Sequence, residues 1–469
     1  MIFDIINGTY KGRSTAISPC DLINFYPELE DGERAKNVKA LIGTPGLVRG
    51  SYEAGSGGYG RALHCTASGY SFAINGNKLY ETIGTSYAYE RGTLSSSVGQ
   101  CYISDNGVEL FITDGVYGYT YNWTTHTFSQ ITDSDFPSSP GPNIFTDGYF
   151  IVVQTTSGKF FYSNSYDGTS WDALDYATAE YSSDTLKSVV KTSNGVLFFV
   201  GTKSIELWTA TGDTNLPWQR INGSTKEIGT YAKNSVKSDG TNMFFVGGDK
   251  NGYAGVFMSS GYDIVRISDP HIEYTIRVDN SVSSASAYTY SYEGHSFYVV
   301  NFSSNLTLAY DITTKMWHKR CFQYSAGVNV RHIIQDCMFV SGNYIVNAYN
   351  NGYLYYLTST SYVDGDTGIL REIITKSINS ENKLIRHLLL EMDLQKGVGN
   401  TSAVNLYYSN DGGNTWSSAL TKYTGATSDY TYRLRWSRLG TSRDRVYKFT
   451  FTAAVQWIII NAYLKADGS

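Results

Sequence analysis

The stretch Val108-Glu109-Leu110-Phe111-Ile112-Thr113-Asp114-Gly115-Val116-Tyr117-Gly118-Tyr119-Thr120-Tyr121-Asn122 holds two apolar-aromatic runs on either side of an Asp-Gly pair. Asp-Gly accepts the positive φ that tight hairpins require. β-Branched and aromatic residues suit a pleated, half-buried surface. The stretch therefore reads as an antiparallel hairpin. Working outward, the same pattern occurs seven times. One aromatic from each first run gives Phe72, Phe111, Phe150, Phe198, Phe244, Phe297 and Tyr344, spaced by 39, 39, 48, 46, 53 and 47 residues. The second runs carry Tyr80, Tyr119, Phe161, Trp208, Phe257, Tyr310 and Tyr355, and turn formers such as Asn75-Gly76, Ser157-Gly158 and Asn351-Gly352 lie between. Each module has room for four strands, and four-stranded modules of ~40–50 residues are the signature of a β-propeller. No Trp-Asp signature accompanies them, so an ordinary WD40 protein is not indicated. An irregular array of β-sandwiches is the competing arrangement.

The fold class expected is all-β: a propeller of about seven degenerate blades over residues 60–368, then a β-sandwich over 369–469. After Gly368 the modular rhythm stops. Leu388, Leu390, Met392 and Leu394 alternate with His387, Leu389, Glu391 and Asp393, a period of two that predicts a strand; the spacing of Leu384, Leu388 and Met392 also permits a helix. Further runs at 406–408, 417–420, 430–436, 446–452 and 455–464 complete five or six strands. Residues 1–59 do not match the module. They include an acidic turn over 28–33 and a Gly-Thr-Pro-Gly turn at 43–46, and they read as an extended arm. A strand near Leu47–Arg49 at its end is a candidate for closing the ring of blades.

Composition narrows the function. The 469 residues contain 40 Tyr and 46 Gly but only 8 Pro. Aromatic content of 15% excludes a disordered chain. With 37 basic and 42 acidic residues the net charge is −5, which argues against gripping duplex DNA through phosphates. Five widely spaced cysteines without CxxC suggest free thiols and no zinc site, in keeping with a reducing cytosol. The start lacks the basic and apolar regions of a signal peptide, and the longest apolar stretch, 453–464, is too short for a membrane span. No metal, cofactor or membrane insertion is expected.

Catalytic constellations are missing. The seven His are scattered, and there is no HExxH, Walker loop, GxGxxG or GxSxG. Ser409-Asn410-Asp411-Gly412-Gly413-Asn414-Thr415-Trp416 matches the Asp-box of sialidase propellers, and Ser165–Trp171 is a shortened cousin. That match raises a carbohydrate-active or glycan-binding propeller as an alternative. The motif's physics is structural, however: Asp411 caps backbone N–H groups, Gly413 supplies positive φ, and Trp416 packs under the hairpin. The densest charge cluster is Arg433, Arg435, Arg438, Arg443, Arg445 and Lys448, with Asp444 its one acidic member. It reads either as a solvated strand edge that resists aggregation or as an interface, with Arg433, Arg435, Arg445 and Lys448 the contact residues. The tyrosine abundance leans toward broad protein contacts; a propeller scaffold for other partners satisfies the same composition.

Three segments carry a resemblance. Asn24-Phe25-Tyr26-Pro27-Glu28 with Gly43-Thr44-Pro45-Gly46, Ser204-Ile205-Glu206, and Trp436-Ser437-Arg438-Leu439-Gly440 with Arg443 are similar to motifs of the tail hub, or packaged-DNA stabilisation, proteins of lambdoid short-tailed bacteriophages. The similarity spans most of the chain in order but is patchy, and the opening motif is its most specific part. The resemblance implies a non-enzymatic virion component, assembled in the bacterial cytoplasm. It implies a six-fold ring below the head-to-tail adaptor that retains packaged DNA without sequence recognition and supports the tail needle and the spikes or fibres.

Overall fold

The computed structural model describes the chain except for residues 1, 4, 6, 7, 16, 30–37, 54–57, 180–183, 214–216, 250, 251, 303, 304, 326, 327 and 469. The acidic turn from Glu30 to Glu33 lies outside the described residues.

Seven antiparallel blades follow one another along the chain. Blade one is Gly60–Cys65, Ser71–Asn75, Lys78–Ile83 and Tyr87–Thr93. Blades two to four repeat this plan over residues 102–130, 140–178 and 186–220. Blade five, residues 228–266, has its innermost strand split into Ile228–Thr230 and Lys237–Ser238. Blade six is Ser286–Tyr292, His295–Asn301, Thr307–Asp311 and Met316–Ser325. The first strands of successive blades pack side by side, and that of blade seven, Ile334–Val340, packs on that of blade one, so the ring is closed. Every aromatic anchor lies on the second strand of its blade, and every aromatic of the second runs on the third strand. Six of the seven anchors are fully buried and Tyr344 half-buried. The 39–53-residue rhythm is thus the recurrence of the second strand of each blade; its anchor faces the following blade in most blades but the preceding one at Phe150 and Tyr344.

Blade seven takes its outer strand from the opposite end of the sequence. Gly46–Glu53 pairs antiparallel with Tyr353–Thr358 through Tyr356↔Val48 and Leu357↔Leu47. The remainder of the N-terminal region does not stay an extended arm. Phe25–Leu29 and Lys39–Gly43 join Ile458–Gly468, Ile385–Leu394 and Leu434–Ser437 in one sheet of the sandwich. Asp21–Ile23 enters the other sheet beside Arg371–Ile374, Asp444–Phe451, Ala403–Ser409 and Leu420–Tyr423. These strands carry Leu22, Phe25 and Leu41, each at most 1% exposed, into a core with Leu390, Met392, Trp436, Phe449, Phe451 and Trp457. Burying them is worth roughly 1.5–3 kcal/mol per side chain, which is why the segment is held in the sheets.

The second sheet does not stop at the sandwich. Ile23 pairs in parallel with Lys319 of blade six, so an eleven-stranded sheet runs from the propeller into the sandwich without a break. Residues 385–394 form a strand, as their alternation predicts, and not a helix. A helix does occur elsewhere, over Pro270–Asp279 between blades five and six. Asp269 caps it by accepting from His271 N (2.8 Å) and Ile272 N (2.9 Å), and Ile272 and Ile276 bury one face. No helix among the described residues is long and apolar enough to cross a membrane.

Candidate functional site

The opening motif converges on the junction of propeller and sandwich. Asn24 adopts φ +55°, a left-handed conformation that Asn tolerates better than most residues. Its backbone N donates to Lys319 O at 2.9 Å, and its carbonyl accepts from Thr44 N at 3.0 Å. The amide Nδ2 donates to Leu370 O (2.7 Å) and Cys321 O (3.1 Å), while Oδ1 accepts from Cys321 N (3.1 Å). One buried residue therefore ties together blade six and the entry to the sandwich, through its side chain, and the 43–46 turn, through its carbonyl. Tyr26, 2% exposed, stands edge-on to His295 and Phe297 of blade six. Pro27 pairs with Leu41 and Glu28 with Ala40.

Two buried arginines clasp the Gly-Thr-Pro-Gly turn from either side. Arg371, from the sandwich, donates Nη2 to Thr44 O at 3.1 Å; Arg320, from blade six, donates Nη2 to Pro45 O at 3.1 Å. Both are 1% exposed. The glycines are required by proximity: a Cβ on Gly43 would stand 2.7 Å from Arg371 Nε, and one on Gly46 would stand 2.5 Å from Val363 O. His332 Nε2 lies 3.1 Å from Arg320 Nη2 and 3.4 Å from the buried Asp364 Oδ2. His318, packed against Phe297, is also fully buried. Burial, with Arg320 close by, pushes His318 down to about 3 and His332 to about 4, so both are neutral at pH 7. Burial likewise lowers Arg371 to about 10, which leaves it charged. Two buried guanidinium cations thus lie in the field of one buried carboxylate, Asp364, which pairs with His332.

The other motif residues are placed apart from this junction. Ser204, Ile205 and Glu206 belong to blade four. Ser204 N donates to Asp184 Oδ2 at 3.0 Å, Ile205 is fully buried, and Glu206, 1% exposed, accepts from Trp208 Nε1 at 3.1 Å. Trp436 fills the sandwich core and donates Nε1 to Leu420 O at 2.8 Å. Arg438 (φ +59°) and Gly440 (φ +78°) turn the chain; Arg438 N donates to Leu388 O and Gly440 O accepts from His387 N. Arg443 donates to Asn382 O at 2.6 Å.

The basic run from Arg433 to Lys448 does not form one surface. Arg433 and Arg435 share a face, as the strand period requires, and both bind Glu391, at 2.6 and 2.9 Å. Arg445 and Lys448 lie on the other sheet. Arg445 is no contact residue: it is 1% exposed, donates Nε to Asn410 Oδ1 at 2.9 Å, and stacks on Tyr408. Lys448 lies over Tyr407 and Trp416. The division follows from topology, because Leu434–Ser437 and Asp444–Phe451 are strands of opposite sheets and side chains on them cannot share a face.

The Asp-box is a turn of the sandwich. Asp411 accepts from Asn414 N (3.0 Å), Thr415 N (2.9 Å), Ser409 Oγ (2.6 Å) and Thr415 Oγ1 (2.6 Å). These bonds, those from Ser409 and Thr415 foremost, hold its carboxyl far below the usual carboxylate range. Gly413 has φ +95°. Trp416 is half-buried, with Lys448 over its ring and its edge close to Gly413 of the turn. In the shortened cousin Trp171 is the buried one, donating Nε1 to Gly168 O at 2.9 Å.

The order of domains decides the kinship. Residues 3–362 match the family model described as bacteriophage P22 Gp10, beta-propeller, and residues 370–467 match its beta-sandwich. The chain belongs to the P22 Gp10 family. It is a structural protein of the phage tail and a component of the virion. No curated protein matches it in sequence. Among solved structures, it is similar to the extracellular domain of a hybrid two-component system from B. thetaiotaomicron, with 11% identity, a TM-score of 0.46, and 73% of this chain and 46% of that one covered. It is also similar to a catalytically inactive virginiamycin B lyase from Staphylococcus aureus, with 11% identity, a TM-score of 0.46, and coverage of 66% and 98%. The RRP9 WD40 repeats match at 11% identity and a TM-score of 0.41, covering 68% and 99%. The chain spans about half the length of the first two solved structures it matches.

The sequence singled out Asn24 and the 43–46 turn but not Arg320, Arg371, His318, His332 or Asp364, which complete the junction. Arg320 and Arg371 are 51 positions apart (371 minus 320), and no local spacing rule joins them. The one available signal was Gly43 and Gly46 flanking a Thr-Pro, which asks what approaches the backbone so closely.

Proposed function

We propose that this protein forms a six-membered ring below the head-to-tail adaptor of a short-tailed phage. The ring retains packaged DNA and offers docking faces to the tail needle and to spikes or fibres. Its role is mechanical and not catalytic, and assembly takes place in the host cytoplasm. The observation that carries this reading is the unbroken sheet from blade six into the sandwich, clamped by Asn24 and two buried arginines. A joint with buried hydrogen bonds and a shared ladder resists hinging, so force applied to one domain is passed to the other. A rigid pair of unlike domains also presents two different faces, which a closed heterologous ring requires. Arg433, Arg435 and Arg438, all exposed on the sandwich, are candidates for such a contact.

Imaging of tails assembled from this protein tests the ring. Six copies of the 52.0 kDa chain, about 312 kDa together, are expected around the channel. One or two copies per tail would refute it. Particles assembled without the protein should package DNA and then lose it; full retention would refute the sealing role.

A further inference from the structure

The axial channel of the propeller holds an imbalance of charge. Its main cavity, ≈ 430 Å³, is lined by the first strands of the blades. Three ammonium groups, Lys191, Lys233 and Lys237, meet two carboxylates there, Asp105 and Asp336. A second recess of ≈ 290 Å³ shares Gln100 and Asn234 with the first and adds Arg61 and Arg331 with no carboxylate. A chain of net charge −5 thus lines these two recesses with five cations and two anions, and of the cations Arg61 is already engaged by the carbonyls of Gly76, Ser96, Val98 and Gly99.

The anions are already engaged. Asp105 is held by His64 at 2.6 Å, and Asp336 receives both Lys237 at 3.2 Å and Leu63 N at 3.2 Å. Lys191 donates to the Thr146 hydroxyl at 2.6 Å and forms no ion pair among the described residues. Lys233 forms no ion pair among the described residues; its ammonium lies 5.9 Å from the centre of the Tyr102 ring. Burial, and then Lys187, lower its pKa. Arg331 lies over Tyr349 and donates to Gln335, but its Nε has no partner. Cations crowded in a half-enclosed channel raise one another's free energy, and an anion placed among them removes that penalty. The volume of ≈ 430 Å³ is that of a small-molecule site.

We propose that this channel binds a small molecule bearing a phosphate or carboxylate group, held by Lys233 and Lys191 with Arg331 at the far recess. Titration calorimetry of the full chain with inorganic phosphate and, separately, with citrate distinguishes the two sources. Saturable one-to-one binding of either is expected, weakened about tenfold or more by Lys233→Gln, as for a lost charge-assisted hydrogen bond. The thermal midpoint of Lys233→Gln should be unchanged or higher, because an unpaired ammonium is removed. Lys191→Gln provides the same comparison should Lys233→Gln fold poorly. Absence of saturable binding at 10 mM of either probe (about the weakest affinity worth assigning to a site) would overturn the proposal. Binding indifferent to both substitutions would overturn it too.

Discussion

Asn24 and Leu370, 346 residues apart in sequence, are joined by a 2.7 Å hydrogen bond from the Asn24 amide to the Leu370 carbonyl. The bond links the first strands of the chain to the point where it enters its second domain. The same amide group also reaches Cys321 in blade six, so one residue reports on the whole junction.

Asn24→Ala should lower stability by about 3 kcal/mol, since it strands buried backbone groups and puts a Cβ-bearing residue without local hydrogen bonds at positive φ. Asn24→Asp is a sharper probe. Its carboxylate still accepts from Cys321 N but opposes the carbonyls of Leu370 and Cys321, so it should be most harmful at neutral pH and partly recover as the pH falls and the carboxyl protonates. Urea midpoints at pH 7 and 5 decide this; equal losses at both would show that the amide donors are unimportant.

Gly46→Ala should be more damaging than Gly43→Ala. At Gly46 the added methyl meets the carbonyls of Val363 and Ser361, 2.5 and 2.6 Å away, which are backbone; at Gly43 it meets the Arg371 side chain, which can shift. A cost of roughly 3 kcal/mol is expected at Gly46, with loss of the edge strand of blade seven. Hydrogen exchange of Leu47 and Val48 amides would reveal it. Equal protection in both variants would contradict the ranking.

Acid should weaken the fold before it protonates most carboxylates. His318, His332 and His387 are pushed by burial to about 3, 4 and 4, aided by Arg320 in the first two and Arg445 in the third. Unfolded histidines titrate near 6.5. Between about pH 6.5 and 4 the unfolded chain takes up protons that the folded chain refuses, so each histidine removes up to about 1.4 kcal/mol per pH unit. His295 opposes this: burial lowers it, but its bond and charge contact with Asp311 outweigh burial and raise it, giving stability present at low pH and lost as pH rises through its folded value. The net expectation is a falling urea midpoint from pH 7 to 4.5, less steep in His318→Gln. An unchanged slope in that variant would exclude His318 from the effect.

Cleavage at the boundary should not part the domains. Val363–Asp364 and Thr367–Gly368 form a small hairpin whose tip, Asp366, is exposed and bound to Arg49 at 2.7 Å. A single cut there leaves the strands Asp21–Ile23, Phe25–Leu29 and Lys39–Gly43 in the sandwich and Gly46–Glu53 in the propeller. The fragments should co-elute in size exclusion until denaturant is added. Separation under native conditions would show the junction to be weaker than its bonding suggests.

The propeller was legible because a buried aromatic recurs on the second strand of blades one to six, from Phe72 to Phe297. The sandwich strand at 385–394 was legible as a strand, and so was its phase from Leu390 onward, but not its phase before the bulge. A bulge between His387 and Leu389 switches the inward set from Ile385 and His387 to Leu390 and Met392, and a strict period of two carries no mark of it. The helix at 270–279 did have local marks, Asp269-Pro270 and the Ile272–Ile276 pair, but ten residues are overshadowed by a β rhythm on either side. Arg445 illustrates the other difficulty. In a run of cations its charge suggests the surface, while its burial depends on Asn410 and Leu439, brought to it only by the fold.

The closing strand of blade seven has a consequence for the chain as it is made. Gly46–Glu53 leaves the ribosome about 300 residues before its partner Tyr353–Thr358. At ~5–20 residues per second, that is a wait of roughly 15–60 s. Throughout it, Leu47 and Val48 lie on a strand with an open edge, and Phe25 and Leu41 wait longer still for Ile458–Gly468. The newborn chain is therefore exposed to mispairing with its neighbours on a polysome. Its yield should depend on translation speed and on chaperones that cover the first fifty residues more than on the stability of the finished ring of blades.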